Sequence, residues 1–300
     1  MVDYTFLDTN IILPSEVFAL YKRLNQYVDN RLTFNSTIEE KDSLGRIIII
    51  DEVTTAAKKR IKLLESTDHP TITGGVKHQV LERIKKITEN IDDRKSNYIF
   101  SVINPKTTPE IKTRNEAIYN DLITCKTTIS DIAEIINKQQ LQYQSPESRG
   151  YLLINDFIND LNTAGISANN TGYEHNTDRY LVVSSLFESL YNKKNVNIVS
   201  NDQGLLRVFA ATSKAIGAWS ATTRNENFKY FSAHLPKAYQ LNNQSTLEQI
   251  NIEDKSNEAY GKIGQLTPTE QGYYQALGTI TNIIEANIDK IEQDLNSRKN

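Results

Sequence analysis

Phe6-Leu7-Asp8-Thr9-Asn10-Ile11-Ile12 and Val196-Asn197-Ile198-Val199-Ser200-Asn201-Asp202 are the two stretches whose reading decides the fold. Each is a short apolar run that stops at polar, turn-forming residues carrying an aspartate. Tyr4 to Leu7 and Val196 to Val199 are rich in β-branched and aromatic residues, which suit a pleated, half-buried surface, so both are read as strands. A third strand is expected at Pro70 to Thr73, broken by Gly74-Gly75. From Val76 a helix follows, because Val76, Val80, Ile84 and Ile87 recur at helical spacing and share a face.

Outward from these strands the pattern alternates. A helix is expected from Ser15 to Val28, with Val17, Leu20, Tyr21 and Leu24 on one face. Arg31 to Asn35 and Arg46 to Ile50 are expected to pair as a hairpin around a polar turn at Lys41 to Gly45. Val53 to Glu65 reads as helix from its Ala, Lys and Leu content. Asn115 to Asn137 carries the stripe Ile118, Leu122, Cys125, Ile129, Ile132 and Ile136. Lys138 to Gly150 reads as a polar loop, Tyr151 to Leu161 as helix and Asn169 to Asn176 as loop. A helix then opens near Asp178, with Val183, Leu186 or Phe187, and Leu190 facing inward. Another starts at Gly204. Helix-sized segments alternating with short strands predict an α/β fold with a mostly parallel sheet covered by helices. In such folds ligands sit at the carboxyl ends of strands, where Asp8 and Asp202 fall.

The bulk numbers exclude several classes. The 300 residues carry 34 Lys and Arg against 37 Asp and Glu, a net charge of −3. That balance does not announce a nucleic-acid binder, but local patches at Lys58, Lys59, Arg60 and Lys62, and at Arg83, Lys85 and Lys86, remain able to hold phosphates. Such patches serve equally well as solvated helix faces. No apolar run approaches the ~18 residues of a membrane helix, and Asp3 interrupts any leader pattern, so no membrane role and a cytoplasmic location are expected. The single cysteine, Cys125, excludes an internal disulfide. The histidines lack metal-ligand spacing; His175 lies three residues before Asp178 and could be near the site.

Phosphodiester hydrolysis needs an activated water, neutralised phosphate charge and help for the leaving oxygen. One or two divalent ions held by carboxylates supply all three, and Mg²⁺ needs only a few converging Asp or Glu residues because it keeps several waters. Four acids fall on suitable elements. These are Asp8 after the first strand, Glu82 on the helix after Ile72-Thr73-Gly74-Gly75-Val76, Asp178 opening Asp178-Arg179-Tyr180-Leu181-Val182-Val183-Ser184, and Asp202 after the later strand. Taken singly, each has an ordinary role: Asp8 as a turn residue, Glu82 as the partner of Lys86 four residues on, Asp178 at a helix start and Asp202 as a helix cap.

The four motifs in this order resemble the PIN-domain nuclease family, over roughly residues 1–215. The resemblance implies a PIN-like three-layer α/β fold, with the hairpin at about 30–50 and helices at about 89–172 as insertions. It implies Asp8, Glu82, Asp178 and Asp202 as metal ligands, directly or through water, with Asn10, Ser200 and Asn201 orienting ligands and water. Glu52, just after Ile47 to Ile50, rivals Glu82 as the second acid. The cofactor implied is Mg²⁺ or Mn²⁺, and the activity is an endonuclease, with RNA favoured over DNA as substrate. The competing readings are a DNA-directed nuclease of the same fold, and a silent PIN-like module that binds nucleic acid or a protein. A haloacid-type phosphatase ranks last, since it expects an Asp where Asn10 stands.

Residues 216–300 lie beyond the resemblance. Phe228 to Leu235 is expected as an edge strand and Asn242 to Gln265 as irregular chain. Thr267-Pro268-Thr269-Glu270 reads as a capping box with Pro at the first helical position. The helix after it, to about 297, carries Leu277, Ile280, Ile284, Ile288, Ile291 and Leu295. That stripe is expected to fold back on this chain, or else to bind a second copy or a helical partner.

Overall fold

The computed structural model describes residues 2–17, 19–20, 36–103, 108–138, 142–166, 175–242 and 246–298. The two decisive stretches form β1 (Tyr4–Leu7) and β4 (Val196–Val199), which pair in parallel from Tyr4 with Val196 to Leu7 with Val199. β2 (Pro70–Thr73) flanks β1, and β3 (Gln142–Tyr143) flanks β2, both in parallel. β5 (Lys237–Leu241) runs parallel to β4, and β6 (Leu247–Gln249) closes the edge antiparallel to β5. The order is β3-β2-β1-β4-β5-β6. The chain therefore builds outward on one side of β1, then returns to build outward on the other. Its direction reverses between β1 and β4, the place where open α/β sheets form a crevice.

The chain divides into two compact units. One comprises residues 1–11, 67–76 and 141–300 and holds the whole sheet. After α1 (Thr9–Ile12), the helices of this unit are α5 (Arg149–Thr163), α6 (His175–Leu190), α7 (Gln203–Trp219), α8 (Glu226–Ala233), α9 (Ile252–Leu266) and α10 (Glu270–Ser297). α6 packs on β1, β2 and β4, α9 on α7, and α10 on α5. Phe6, Leu7, Ile72, Ile198, Val199, Leu181, Val183, Leu186 and Leu190 are fully buried or nearly so. Each contributes about 1.5–3 kcal/mol relative to exposure. Phe6, Tyr4 and Tyr143 meet edge-on or tilted, and the Tyr143 hydroxyl donates to buried Glu188 at 2.6 Å.

The other unit, residues 12–66 and 77–140, is helical. It contains α2 (Ser36–Ser66), most of α3 (Gly74–Ile103), and α4 (Pro109–Lys138). The expected stripes of α3 and α4 are buried, from Val80 to Ile87 and from Ile118 to Ile136. Lys126 of α4 pairs with Asp92 of α3 at 2.5 Å.

Several expectations need correction. Arg46 to Ile50 is not a hairpin strand but the middle of α2; Arg31 to Asn35 lies outside the described residues. β propensity is a weak prior, and Ile50, Val53, Ala57 and Leu64, spaced for one helix face, are all buried in a unit where α2 packs on α4. Glu52 thus sits exposed on a helix, not at a strand end. Phe228 to Leu235 is mostly α8, because Phe228 and Phe231, three apart, are buried together on one face. A strand comes just after it, as β5, but it lies inside the sheet between β4 and β6. Asn242 to Gln265 is not irregular: it holds β6 and α9, whose buried face is the modest set Ser256, Ala259 and Ile263. Lys138 to Gly150 includes the two residues of β3. α10 starts at Glu270, capped by Thr269, whose hydroxyl accepts from the Gly272 N–H at 3.1 Å. Thr267 and Pro268 precede that cap. Ile280, Ile288, Ile291 and Leu295 are buried. Most of the loop expected at Asn169 to Asn176 lies outside the described residues, and α6 already begins at His175.

Candidate functional site at the carboxyl edge of the sheet

Asp8 leaves β1 and Asp202 leaves β4 at the reversal point of the sheet. Neighbouring parallel strands in register bring these ends together, and a hydrogen-bonded network fixes them. The Asp8 N–H donates to the Val199 carbonyl at 3.0 Å. Asp8 Oδ1 accepts from the Thr9 N–H at 2.6 Å, and Oδ2 accepts from the Ser200 hydroxyl at 2.6 Å. Ser200 Oγ also accepts from the Asp202 N–H at 2.9 Å, so one hydroxyl positions both acids. Asn10 Oδ1 accepts from the Asn201 N–H at 3.1 Å, and Asn201 Oδ1 from the Leu241 N–H at 2.9 Å. These contacts tie together the ends of β1, β4 and β5.

The two acids differ in environment. Asp8 is 3% exposed. Burial pushes its carboxyl above the usual aspartate range; the hydrogen bonds from Ser200 and Thr9 oppose this, and the nearby charge of Asp202 adds to it. Asp202 is half-buried and caps α7, its Oδ1 accepting from the N–H groups of Gly204 at 2.6 Å and Leu205 at 3.0 Å. The ordinary capping role is therefore real. Oδ2 of Asp202 has no protein donor among the described residues.

Asp178 lies in the first turn of α6. Thr177 beside it approaches Gly75 so closely that a Cβ there would stand 3.2 Å from Thr177 Oγ1. Gly75 lies two residues past the end of β2, so the first turn of α6, with Asp178, lies at the same edge of the sheet as Asp8 and Asp202. The sequence signal for this contact was Gly74-Gly75, read only as a strand break. Those glycines open α3, where the Thr73 hydroxyl accepts from the Val76 N–H at 3.4 Å, and Gly75 lets α6 come close. Glu82 lies on the exposed side of α3 within the helical unit, paired with Lys86 at 2.6 Å and near His78 at 3.8 Å. Lys86 holds its carboxyl below the ordinary glutamate range. Of the basic patches, Lys58, Lys59 and Lys62 are exposed, whereas Arg60 turns partly inward.

The structure thus brings together Asp8, Asn10, Ser200, Asn201 and Asp202. Among the described residues no group of three or more His, Cys, Asp or Glu side chains gathers to hold a metal ion. Among them, too, no helix is long and apolar enough to cross a membrane. The donor set at the edge is an adjacent carboxylate pair, neither member of which forms an ion pair among the described residues. A carboxylate pair without an ion-pair partner offers oxygen ligands of the kind a divalent cation that retains water takes. No known protein-family model, curated protein or solved structure matches the chain.

Proposed function

We propose that this chain is a PIN-like, metal-dependent phosphodiester hydrolase, an endonuclease that prefers RNA. The observation that carries the reading is the Asp8–Asp202 pair at the reversal point of a parallel sheet, held by Ser200 and left without a cationic partner among the described residues. Mg²⁺ or Mn²⁺ held there, when bound, supplies charge neutralisation on the phosphate and an activated water. Asp8 and Asp202 would hold the ion, with Asp178 at the same edge as a ligand through water. Ser200 and Asn10 keep the acids in place. Glu82 is the weakest of the four expected acids, because Lys86 already engages it.

A specific observation favours the silent-module reading as the alternative. Both Asp8 oxygens accept protein hydrogen bonds, and among the described residues no third acid joins the pair. Cleavage of labelled single-stranded RNA and DNA with Mn²⁺ or Mg²⁺, by wild type and Asp8→Asn, separates the two. Metal-dependent cutting of RNA by wild type alone supports the ribonuclease, and cutting of DNA alone moves the activity to the other polymer. Equal inertness on both polymers favours the silent module.

A further inference from the structure

A sheet covered on both faces should read as nearly continuous apolar strands. β4 and β5 break that rule on one face. Asn197 pairs in register with Lys237, and Tyr239 two residues on pairs with Gln249 of β6. Residues in register on neighbouring strands share a face, as do residues two apart on one strand. Asn197, Lys237, Tyr239 and Gln249 therefore share a face as a polar row stepped across three strands, with Val199 in register with Tyr239. Among the described residues none of these four side chains makes a hydrogen bond, ion pair or ring contact within the chain.

The row floors a cleft of about 860 Å³. One wall is the end of α8 and its exit, including His234, whose ring stacks on Tyr230 at 4.1 Å. The other is the turn into α9 at Asn251 and Ile252. The size falls within the range of small-molecule sites, and a few convergent polar groups on a partly apolar lining are what such sites contain. Among the described residues no aspartate or glutamate lines the cleft, in a chain where acids outnumber bases. Lys237 is the one lysine or arginine in the lining among the described residues.

We propose that this cleft binds a nucleotide unit, with the phosphate on Lys237 and the base edge on the Asn197 and Gln249 amides. Both amides offer donors and acceptors together, the pairing that base edges require. Tyr239 supplies a ring of the kind on which bases stack. The same chemistry reaches the cleft either as a free mononucleotide or as part of a single strand. The proposal stands apart from the Asp8–Asp202 pair and from any cleavage.

The test is calorimetric titration of the full chain in EDTA, which removes divalent ions from the acid pair. The probes are AMP, UMP, inorganic phosphate and a short single-stranded oligoribonucleotide. The variants are Lys237→Gln and Gln249→Glu, both at exposed positions, so circular dichroism should be unchanged. Wild type should bind AMP or UMP more tightly than phosphate. Losing a charge-assisted hydrogen bond should weaken that binding roughly ten- to hundredfold in Lys237→Gln. Gln249→Glu, which places a negative charge in the floor, should weaken it too. Binding of the oligoribonucleotide alone, with the same losses, assigns the site to a strand. Absence of binding by every probe up to about 10 mM, phosphate binding as tightly as the nucleotides, or variants that bind like wild type would each overturn the proposal.

Discussion

Replacing Asp8 separates its structural role from its charge. In Asp8→Ala two buried donors, the Thr9 N–H and the Ser200 hydroxyl, lose acceptors that stand 2.6 Å away. Each orphaned donor costs about 1–3 kcal/mol, about 2–6 kcal/mol in all. In a chain of this size that lowers the melting temperature by roughly 5–15 °C. Asp8→Asn keeps an oxygen for Thr9 and turns its amide N–H toward Ser200 Oγ, while removing the repulsion from Asp202. Its metal-free stability at neutral pH should equal or exceed that of wild type. The pH dependence has a definite sign. The folded carboxyl of Asp8 lies above its unfolded value, chiefly through burial, so ionising it costs stability. This contribution is fully present below the ordinary aspartate range and is lost as pH rises through the folded value. Wild type should therefore gain on Asp8→Asn as pH falls through that window. Manganese reverses the ranking: at about a hundredfold excess over its Kd it adds ~2.7 kcal/mol to wild type and should add nothing to Asp8→Asn. Differential scanning fluorimetry across pH, with EDTA or Mn²⁺, reads every arm. Equal Mn²⁺ shifts in wild type and Asp8→Asn would refute the ion site. An Asn variant as unstable as the Ala variant would refute the argument that the charge is a liability.

Three other outcomes follow from the geometry. Gly150→Ala should lose about 1–3 kcal/mol in urea titrations. The new Cβ would stand 2.3 Å from Tyr191 Cε1, and that ring is held between Phe187 at 4.9 Å and Arg298 at 4.8 Å. Cys125 is fully buried and burial pushes its thiol up to about 11, so it should react with a thiol reagent far more slowly in the native protein than in urea. Glu82→Gln should reduce metal-dependent cleavage much less than Asp8→Asn does, since Lys86 already engages Glu82; an equal loss of rate would restore it as a working acid.

The strands that carry the candidate site were legible because each is a short apolar run stopped by polar residues, and the acid falls at the stop. The stripes of α3 and α4 were legible because four aliphatic residues mark one face of α3, and five aliphatic residues with Cys125 mark one face of α4. Ile47 to Ile50 misled because β-branched residues crowd together where tertiary packing, not propensity, sets the element. α9 was hidden because Ser256 and Ala259, which meet its neighbour, are too small to register as an apolar stripe. The polar row of the cleft was invisible for a different reason. Asn197 was plain in β4, but Lys237 and Tyr239 gain meaning only once β5 pairs beside it. The sequence reading put that strand on the aromatic residues of α8 instead.

The hydrogen bond from Ser200 to Asp8 spans 192 residues. During synthesis β1 leaves the ribosome well before β4, so the partner that orders its aspartate is made only 192 residues later. Closure of so long a loop comes late and slowly in folding. A nascent chain that has not yet reached β4 therefore holds Asp8 without Ser200 or Asp202 and cannot assemble the pair. If the pair cuts RNA, the nascent protein is harmless to the message that encodes it until β4 has been made.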